Sequence, residues 1–168
     1  MTIAPNTPTL AATPAAAEAA VADVTALLPS REALLDRLTE GRTSPAAATL
    51  MVIGLLRRDD GWPTAQSTLT QVTTLLAGSL RGDDWLGKSG PGEFAVVLAG
   101  PATAAETAAA RLVSAVPGLG IPGLTAAAGI APLTPGAGAA EVLRRALVSL
   151  TAARRAGAGT VIVHRESD

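Results

Sequence analysis

The sequence predicts an α+β domain, with a mixed five-stranded sheet flanked by helices. Short apolar runs alternate along the chain with segments whose apolar residues recur every three or four positions, which are the patterns of strands and of packed helices. Two of the predicted strands are separated only by Gly90-Pro91-Gly92, a hairpin signal. A hairpin inserted into an alternating order of strands and helices indicates a split βαβ arrangement.

The N-terminal part of the chain divides into a tail and the start of the folded domain. Residues 1–16 combine Pro, Thr and Ala without charge or periodicity, which is typical of a disordered tail. The domain is predicted over 17–168 and opens with a helix over 15–27. Ser30 is the predicted N-cap of the next helix, which we expect to end at Gly41.

The remaining elements follow from the apolar patterns. The run at 49–56 is unbroken, which favours a strand covered on both faces. A turn is predicted at 59–61, and Pro63 suits the first turn of a helix. The other predicted strands lie at 85–89, 94–98, 124–131 and 160–163. Each of the three remaining predicted helices carries apolar residues along one face. In chain order these are Leu69, Val72, Leu76 and Leu80; Ala105, Ala108, Leu112 and Ala115; and, within 142–155, Leu143, Leu147 and Leu150.

Composition excludes several classes of protein. The 13 basic and 14 acidic residues give a net charge of −1, which argues against a general nucleic-acid binder. The chain has no Cys and a single His, His164, so disulfides, structural zinc and His-based triads lack their parts. The apolar runs are far shorter than a membrane-spanning helix needs, and no secretion signal is visible, so we expect a cytoplasmic protein.

Two motif matches are rejected on their context. Residues 82–89 (GDDWLGKS) fit the phosphate-loop pattern GxxxxGK[ST]. That loop must follow a strand and open a helix, whereas here a helix precedes it and a strand follows. Its two carboxylates would also repel a phosphate. The GxGxxG match at 118–123 likewise follows a helix and precedes a strand, so we interpret it as a plain loop.

Four motifs in a fixed order carry a family resemblance. They are DVTALLPSR at 23–31, similar to DxLTGLPNR; GPGEF at 90–94, followed by AVVL; LTAAAGIA at 124–131, similar to VTVSIGVA; and the helix with its two Arg pairs at 143–157, similar to LLRRADxALYxAKxxG. On these motifs the chain resembles the GGDEF domain of diguanylate cyclases, from about residue 23 to about residue 163. The resemblance implies a nucleotidyl-cyclase palm-like fold with a ferredoxin-like core.

The same resemblance implies that catalysis is lost. The family joins two GTP molecules into cyclic di-GMP and holds its metal with an Asp on the first core strand and an acidic residue at the third signature position. Those positions are Gly54 and Gly92 here, and Pro91 replaces the second signature Gly. The segment from Gly54 to Gln66 is shorter than the family's guanine-reading segment. Only Glu93 is retained, so we expect no enzyme, no catalytic residue, no metal and no cofactor.

The degenerate signature comprises Gly90, Pro91, Gly92, Glu93 and Phe94. We favour pairing of Glu93 with a nearby Arg over metal binding, since Asp59 or Asp60 would have to supply the missing carboxylate from a shortened loop. 

The two Arg residues near the end of the last long helix are interpreted as a solvated face. Arg154, however, stands where the family has a phosphate-contacting Lys and could still meet an anion. Its neighbour is Arg155.

A second family motif is intact. Arg81-Gly-Asp-Asp84 matches the RxxD of the inhibitory site, which in the family binds the product cyclic di-GMP, and Trp85 to Ser89 give the right spacing before the signature. Arg111 falls where the family often has a third member. A guanidinium fork matches the O6/N7 edge of guanine, and a carboxylate can accept from the N1–H and N2–H groups. The expected ligand is therefore cyclic di-GMP.

Two functions follow from different interpretations of Arg81 and Asp84. The first is an inactive GGDEF-like receptor that binds cyclic di-GMP through Arg81, Asp84 and Arg111 and signals to a protein partner. In the second, Arg81 has only a structural role: its charge interacts favourably with the dipole at the C-terminus of the preceding helix, and Asp84 is its partner in the turn. The domain would then be a nucleotide-independent interaction module, acting through its tail, the helix over 15–27 or a homodimer face.

Overall fold

A computed structural model of the chain describes residues 27–57 and 65–166. The predicted tail, the helix predicted before Leu27, and the turn and Pro63 at 59–63 lie outside the described residues. The helices and strands follow one another in the predicted order: α1 Arg31–Thr43, β1 Ala48–Arg57, α2 Gln66–Ser79, β2 Trp85–Gly90, β3 Glu93–Ala99, α3 Ala102–Ala115, β4 Leu124–Pro132, α4 Ala139–Ala156 and β5 Val161–Val163.

The predicted mixed sheet is confirmed. Its strand order is β2-β3-β1-β4-β5. Strand β1 pairs antiparallel with both β3 and β4, β2 and β3 form an antiparallel hairpin, and β4 and β5 are parallel. Strands β1 and β2 thus run in one direction with β3 between them, and β3 and β4 run in the other with β1 between them. These are two interlocked split βαβ units, as expected from the inserted hairpin.

Strand β1 lies at the centre of the sheet and is buried on both faces. Met51 and Ile53 belong to a core with the apolar residues of α2 and α3. Leu50 and Val52 belong to a second core with those of α1 and α4. The helices therefore cover both faces of the sheet, which explains why β1 reads as an unbroken apolar run. No helix within the described residues is long and apolar enough to cross a membrane.

Helix α1 begins as predicted but ends later. Ser30 is the N-cap, and its hydroxyl accepts a hydrogen bond from the Ala33 N–H at 3.4 Å. The prediction that Gly41 ends the helix is wrong, because α1 continues to Thr43. A Cβ on Gly41 would lie 2.8 Å from the Cδ2 atom of Leu133. The glycine therefore serves close packing against the segment after β4.

An ion-pair network holds the residues after β5 against α4. Arg145 donates to Glu141 at 3.0 Å and to Glu166 at 2.8 Å, and Arg144 donates to Glu141 at 2.6 Å. The hydrogen bonds from Arg144 and then Arg145 lower the pKa of Glu141 from 4.5 to about 2, because they favour the charged carboxylate. The Glu141 carboxylate therefore stays ionised throughout the neutral and mildly acidic range.

Candidate functional site

The three predicted ligand-binding residues line one open cavity of about 460 Å³. Arg81 and Asp84 lie in the turn between α2 and β2, and Arg111 lies on α3. The fold brings these segments together because β3 pairs with β2 and leads directly into α3. Apolar walls come from the end of β3 and from α3, and their residues are Leu98, Ala99, Ala104, Ala105 and Ala108.

The turn that carries Arg81 is closed by Asp84. The Asp84 Oδ2 atom accepts a hydrogen bond from the Arg81 backbone N–H at 2.8 Å. The Asp84 N–H donates in return to the Arg81 carbonyl at 3.1 Å. Asp84 is therefore a turn partner of Arg81, as expected, and its contact is with the Arg81 backbone. The guanidinium group takes no part in it.

The two guanidinium groups at the cavity are available to a ligand. Arg81 and Arg111 are exposed, and neither guanidinium has an ion pair or hydrogen bond with any residue that the structure describes. The cavity is lined along α3 by small side chains, which leave room between the two arginines. Its volume lies within the range of about 300–1,000 Å³ that is typical of small-molecule sites.

The signature hairpin has a different environment on each face of the sheet. Gly90 ends β2, Pro91 and Gly92 form the turn, and the φ of 65° at Gly92 is one that glycine adopts readily. Phe94 is buried in the core with α2 and α3. Glu93 is the cross-strand partner of Gly54 and points to the other face, toward α4.

The carboxylate of Glu93 is bound by the protein's own donors. Arg154 Nη1 donates to Glu93 Oε1 at 3.2 Å, and the Ser89 hydroxyl donates to Oε2 at 3.2 Å. The Arg154 guanidinium lies over Gly54, where an added Cβ would be 2.5 Å from Nη2. The expected pairing of Glu93 with an arginine is thus confirmed. Arg154 meets an anion and does not belong to a solvated face.

Sequence reasoning missed the contact between Arg154 and Gly54, although one signal of it exists. Gly54 interrupts an otherwise apolar strand. A glycine inside a strand often marks a place where another group approaches closely. Here that group is a guanidinium from the last turn of α4.

The residues that the structure describes around the hairpin do not fit a divalent metal ion. Such ions in phosphoryl-transfer sites need carboxylate oxygens together with the phosphates of the substrate. Gly54 and Gly92 supply no side-chain oxygen, and both oxygens of Glu93 face protein donors. Over residues 27–57 and 65–166, no group of three or more His, Asp or Glu side chains is placed to hold a metal.

The rejected phosphate-loop match begins in the turn before β2 and continues into that strand. Gly87, Lys88 and Ser89 belong to β2, and Lys88 pairs with Phe94 across the hairpin. The Lys88 N–H donates to the Pro29 carbonyl at 2.9 Å, so the chain before α1 covers the outer edge of β2. No helix begins here, and the rejection of this motif is confirmed.

Comparison with known proteins finds similarity in structure. No protein-family model matches the sequence, and no curated protein matches it either. Among solved structures, the GGDEF domain of YfiN (TpbB) from Pseudomonas aeruginosa is similar with a TM-score of 0.73 and 21% identity, over 84% of this chain and 99% of that chain.

Two further solved structures with a similar fold are complexes with another molecule. The GGDEF domain of DgcB from Caulobacter crescentus, in complex with c-di-GMP, has a TM-score of 0.69 and 19% identity, over 83% of this chain and 92% of that one. The diguanylate cyclase SiaD of Pseudomonas aeruginosa, in complex with its activator SiaC, has a TM-score of 0.71 and 22% identity, over 83% of this chain and 60% of SiaD. The chain therefore has the fold of GGDEF domains.

Proposed function

We propose that this chain is a catalytically inactive GGDEF-fold domain that binds cyclic di-GMP and passes this occupancy to a protein partner. The observation that carries the proposal is the shared cavity of Arg81, Asp84 and Arg111, with both guanidinium groups unpaired among the described residues. The DgcB domain of the same fold was crystallised with c-di-GMP, and SiaD with an activator protein, which supports both kinds of partner.

The site has complementary groups for a guanine-containing dinucleotide. A guanidinium of Arg81 or Arg111 can donate two parallel hydrogen bonds to the O6 and N7 atoms of guanine. Asp84 uses Oδ2 for the Arg81 backbone, and Oδ1 can accept from the N–H groups of the opposite base edge. Each arginine can also pair with a phosphate of the ligand, and Asp83 and Asp84 balance the charge of the two arginines in the empty cavity.

The state of the signature hairpin supports inactivity. Phosphoryl transfer between two GTP molecules depends on metal ions that neutralise the phosphates and align the reacting oxygens. This chain has glycine at two of the positions that would hold them, and the remaining Glu93 is paired with Arg154. We infer that the domain reads a nucleotide signal without making it.

Calorimetric titration of the full chain with cyclic di-GMP tests the receptor function. We expect saturable binding with about two ligands per site, because this ligand typically binds as a pair of molecules whose guanine bases stack on each other. The lining residues of the cavity include no aromatic side chain, so the stacking comes from the ligand pair itself. No heat of binding from a folded sample at high ligand concentration would contradict the proposal. It would favour the interaction module, for which the turn between Arg81 and Asp84 is purely structural.

Incubation with GTP and Mg²⁺, followed by chromatography of the products, tests inactivity. We expect no cyclic di-GMP to form, because Gly54 and Gly92 supply no carboxylate and Glu93 is already paired with Arg154. An active diguanylate cyclase assayed in parallel provides the positive control. Turnover by this chain that Glu93→Gln abolishes would overturn this part of the proposal.

A further inference from the structure

The contacts of Arg154 join three elements around Glu93. Arg154 comes from the last turn of α4, Glu93 opens β3, and Ser89 lies near the end of β2. Ser89 is 2% exposed, Glu93 is 20% exposed and Arg154 is 31% exposed. The charge of Glu93 is thus neutralised in a partly buried place, where an unpaired carboxylate would be costly.

Gly54 makes this arrangement possible. It pairs with Glu93 on one side and with Ala127 on the other, so it occupies the middle of the sheet below the guanidinium. A Cβ at this position would lie 2.5 Å from Nη2, 2.7 Å from Cζ and 2.8 Å from Nε of Arg154. Any side chain here would have to displace the guanidinium. The absence of a side chain at Gly54 therefore leaves the space that the Arg154 guanidinium occupies.

A guanidinium and a metal ion compete for this place. A divalent ion at Glu93 would meet a positive charge within contact distance, and it would compete with the donors that already bind both carboxylate oxygens. We propose that Arg154 supplies the cation of the Glu93 cleft, which is the space between Glu93, Gly54 and the last turn of α4. Its guanidinium neutralises Glu93, covers Gly54 and excludes a divalent metal ion. The inference rests on the inactive half of the proposed function and is independent of ligand binding at Arg81.

Manganese binding measured by electron paramagnetic resonance tests this inference. An aspartate at position 54 would face the same side of the sheet as Glu93, since cross-strand partners project to one face. We expect the wild type to bind no Mn²⁺ at this cleft. The double variant Gly54→Asp with Arg154→Ala should bind it, because two carboxylates then face each other without a guanidinium.

A matched control separates the role of Arg154 from a change in net charge. Gly54→Asp with Arg155→Ala carries the same two charge changes but keeps Arg154, whereas Arg155 is exposed on α4. We expect this control to bind Mn²⁺ more weakly than the Arg154 double variant by roughly tenfold or more, because ligand charge sets the affinity of such sites. Equal affinities, or Mn²⁺ binding by the wild type at Glu93, would overturn the inference.

The double variant Gly54→Asp with Arg154→Gln provides a second measurement if the alanine double variant does not fold, since it keeps both carboxylates and removes the charge of Arg154. Its melting temperature should rise on addition of Mn²⁺, and that of the wild type should not. No rise in this folded variant would also count against the inference. Cyclic di-GMP titration of the same sample should match the wild type, because Arg154 does not line the cavity of Arg81. Loss of metal exclusion and loss of nucleotide binding are thus observed separately.

Discussion

Replacing Arg81 by alanine is expected to weaken cyclic di-GMP binding about 5- to 150-fold, which corresponds to about 1–3 kcal/mol for one bidentate contact with guanine. The substitution removes the guanidinium but keeps the backbone N–H that Asp84 Oδ2 accepts from. The turn should therefore persist. Calorimetry gives the affinity, and circular dichroism confirms that the variant is folded.

Arg155→Ala is the matched control for this experiment. Arg155 is an exposed arginine on α4 and does not line the cavity. Its loss lowers the net charge by the same amount, so any general electrostatic effect on an anionic ligand appears in both variants. A decrease of equal size in the two variants would mean that Arg81 makes no specific contact. Asp84→Ala is less informative, because it removes a turn contact together with any ligand contact.

The sheet could be predicted because its signals are local or repetitive. The apolar run of β1, the hairpin at Gly90 to Gly92 and the spacing of the helical stripes each specify an element from a few neighbouring residues. Their order in the chain then restricts the topology. The RxxD turn was visible for the same reason, since Arg81 and Asp84 lie three positions apart and close the turn themselves.

Contacts that depend on the approach of distant elements could not be predicted. Arg154 and Glu93 are 61 positions apart, and only the packing of α4 on the sheet brings them together. The approach of Leu133 to Gly41 is a second example, because Leu133 follows β4 and lies far from α1 in the chain. In both cases the sequence showed a glycine, but the group that approaches it comes from elsewhere in the fold.

Helix α4 approaches β4 closely at Gly129, and this approach predicts a large loss of stability for Gly129→Ala. An added Cβ would lie 2.2 Å from the Ala146 carbonyl oxygen and 2.3 Å from the Leu150 nitrogen. These two atoms are four residues apart in α4, the spacing of a helical backbone hydrogen bond, so no side-chain movement can relieve the overlap. The helix must shift, at a cost of about 3 kcal/mol.

Thermal melting followed by circular dichroism measures this effect. For a chain of this size, that loss lowers the melting temperature by roughly 10 °C. Gly78→Ala is the matched control, because a Cβ at Gly78 meets nothing within 4 Å and the residue lies in α2. Removing a helical glycine there should stabilise the domain by about 0.5–1 kcal/mol. One methyl group is added in each variant, so opposite shifts of the two melting temperatures would locate the effect in the α4–β4 contact. A Gly129→Ala protein with the melting temperature of the wild type would show that α4 packs further from the sheet.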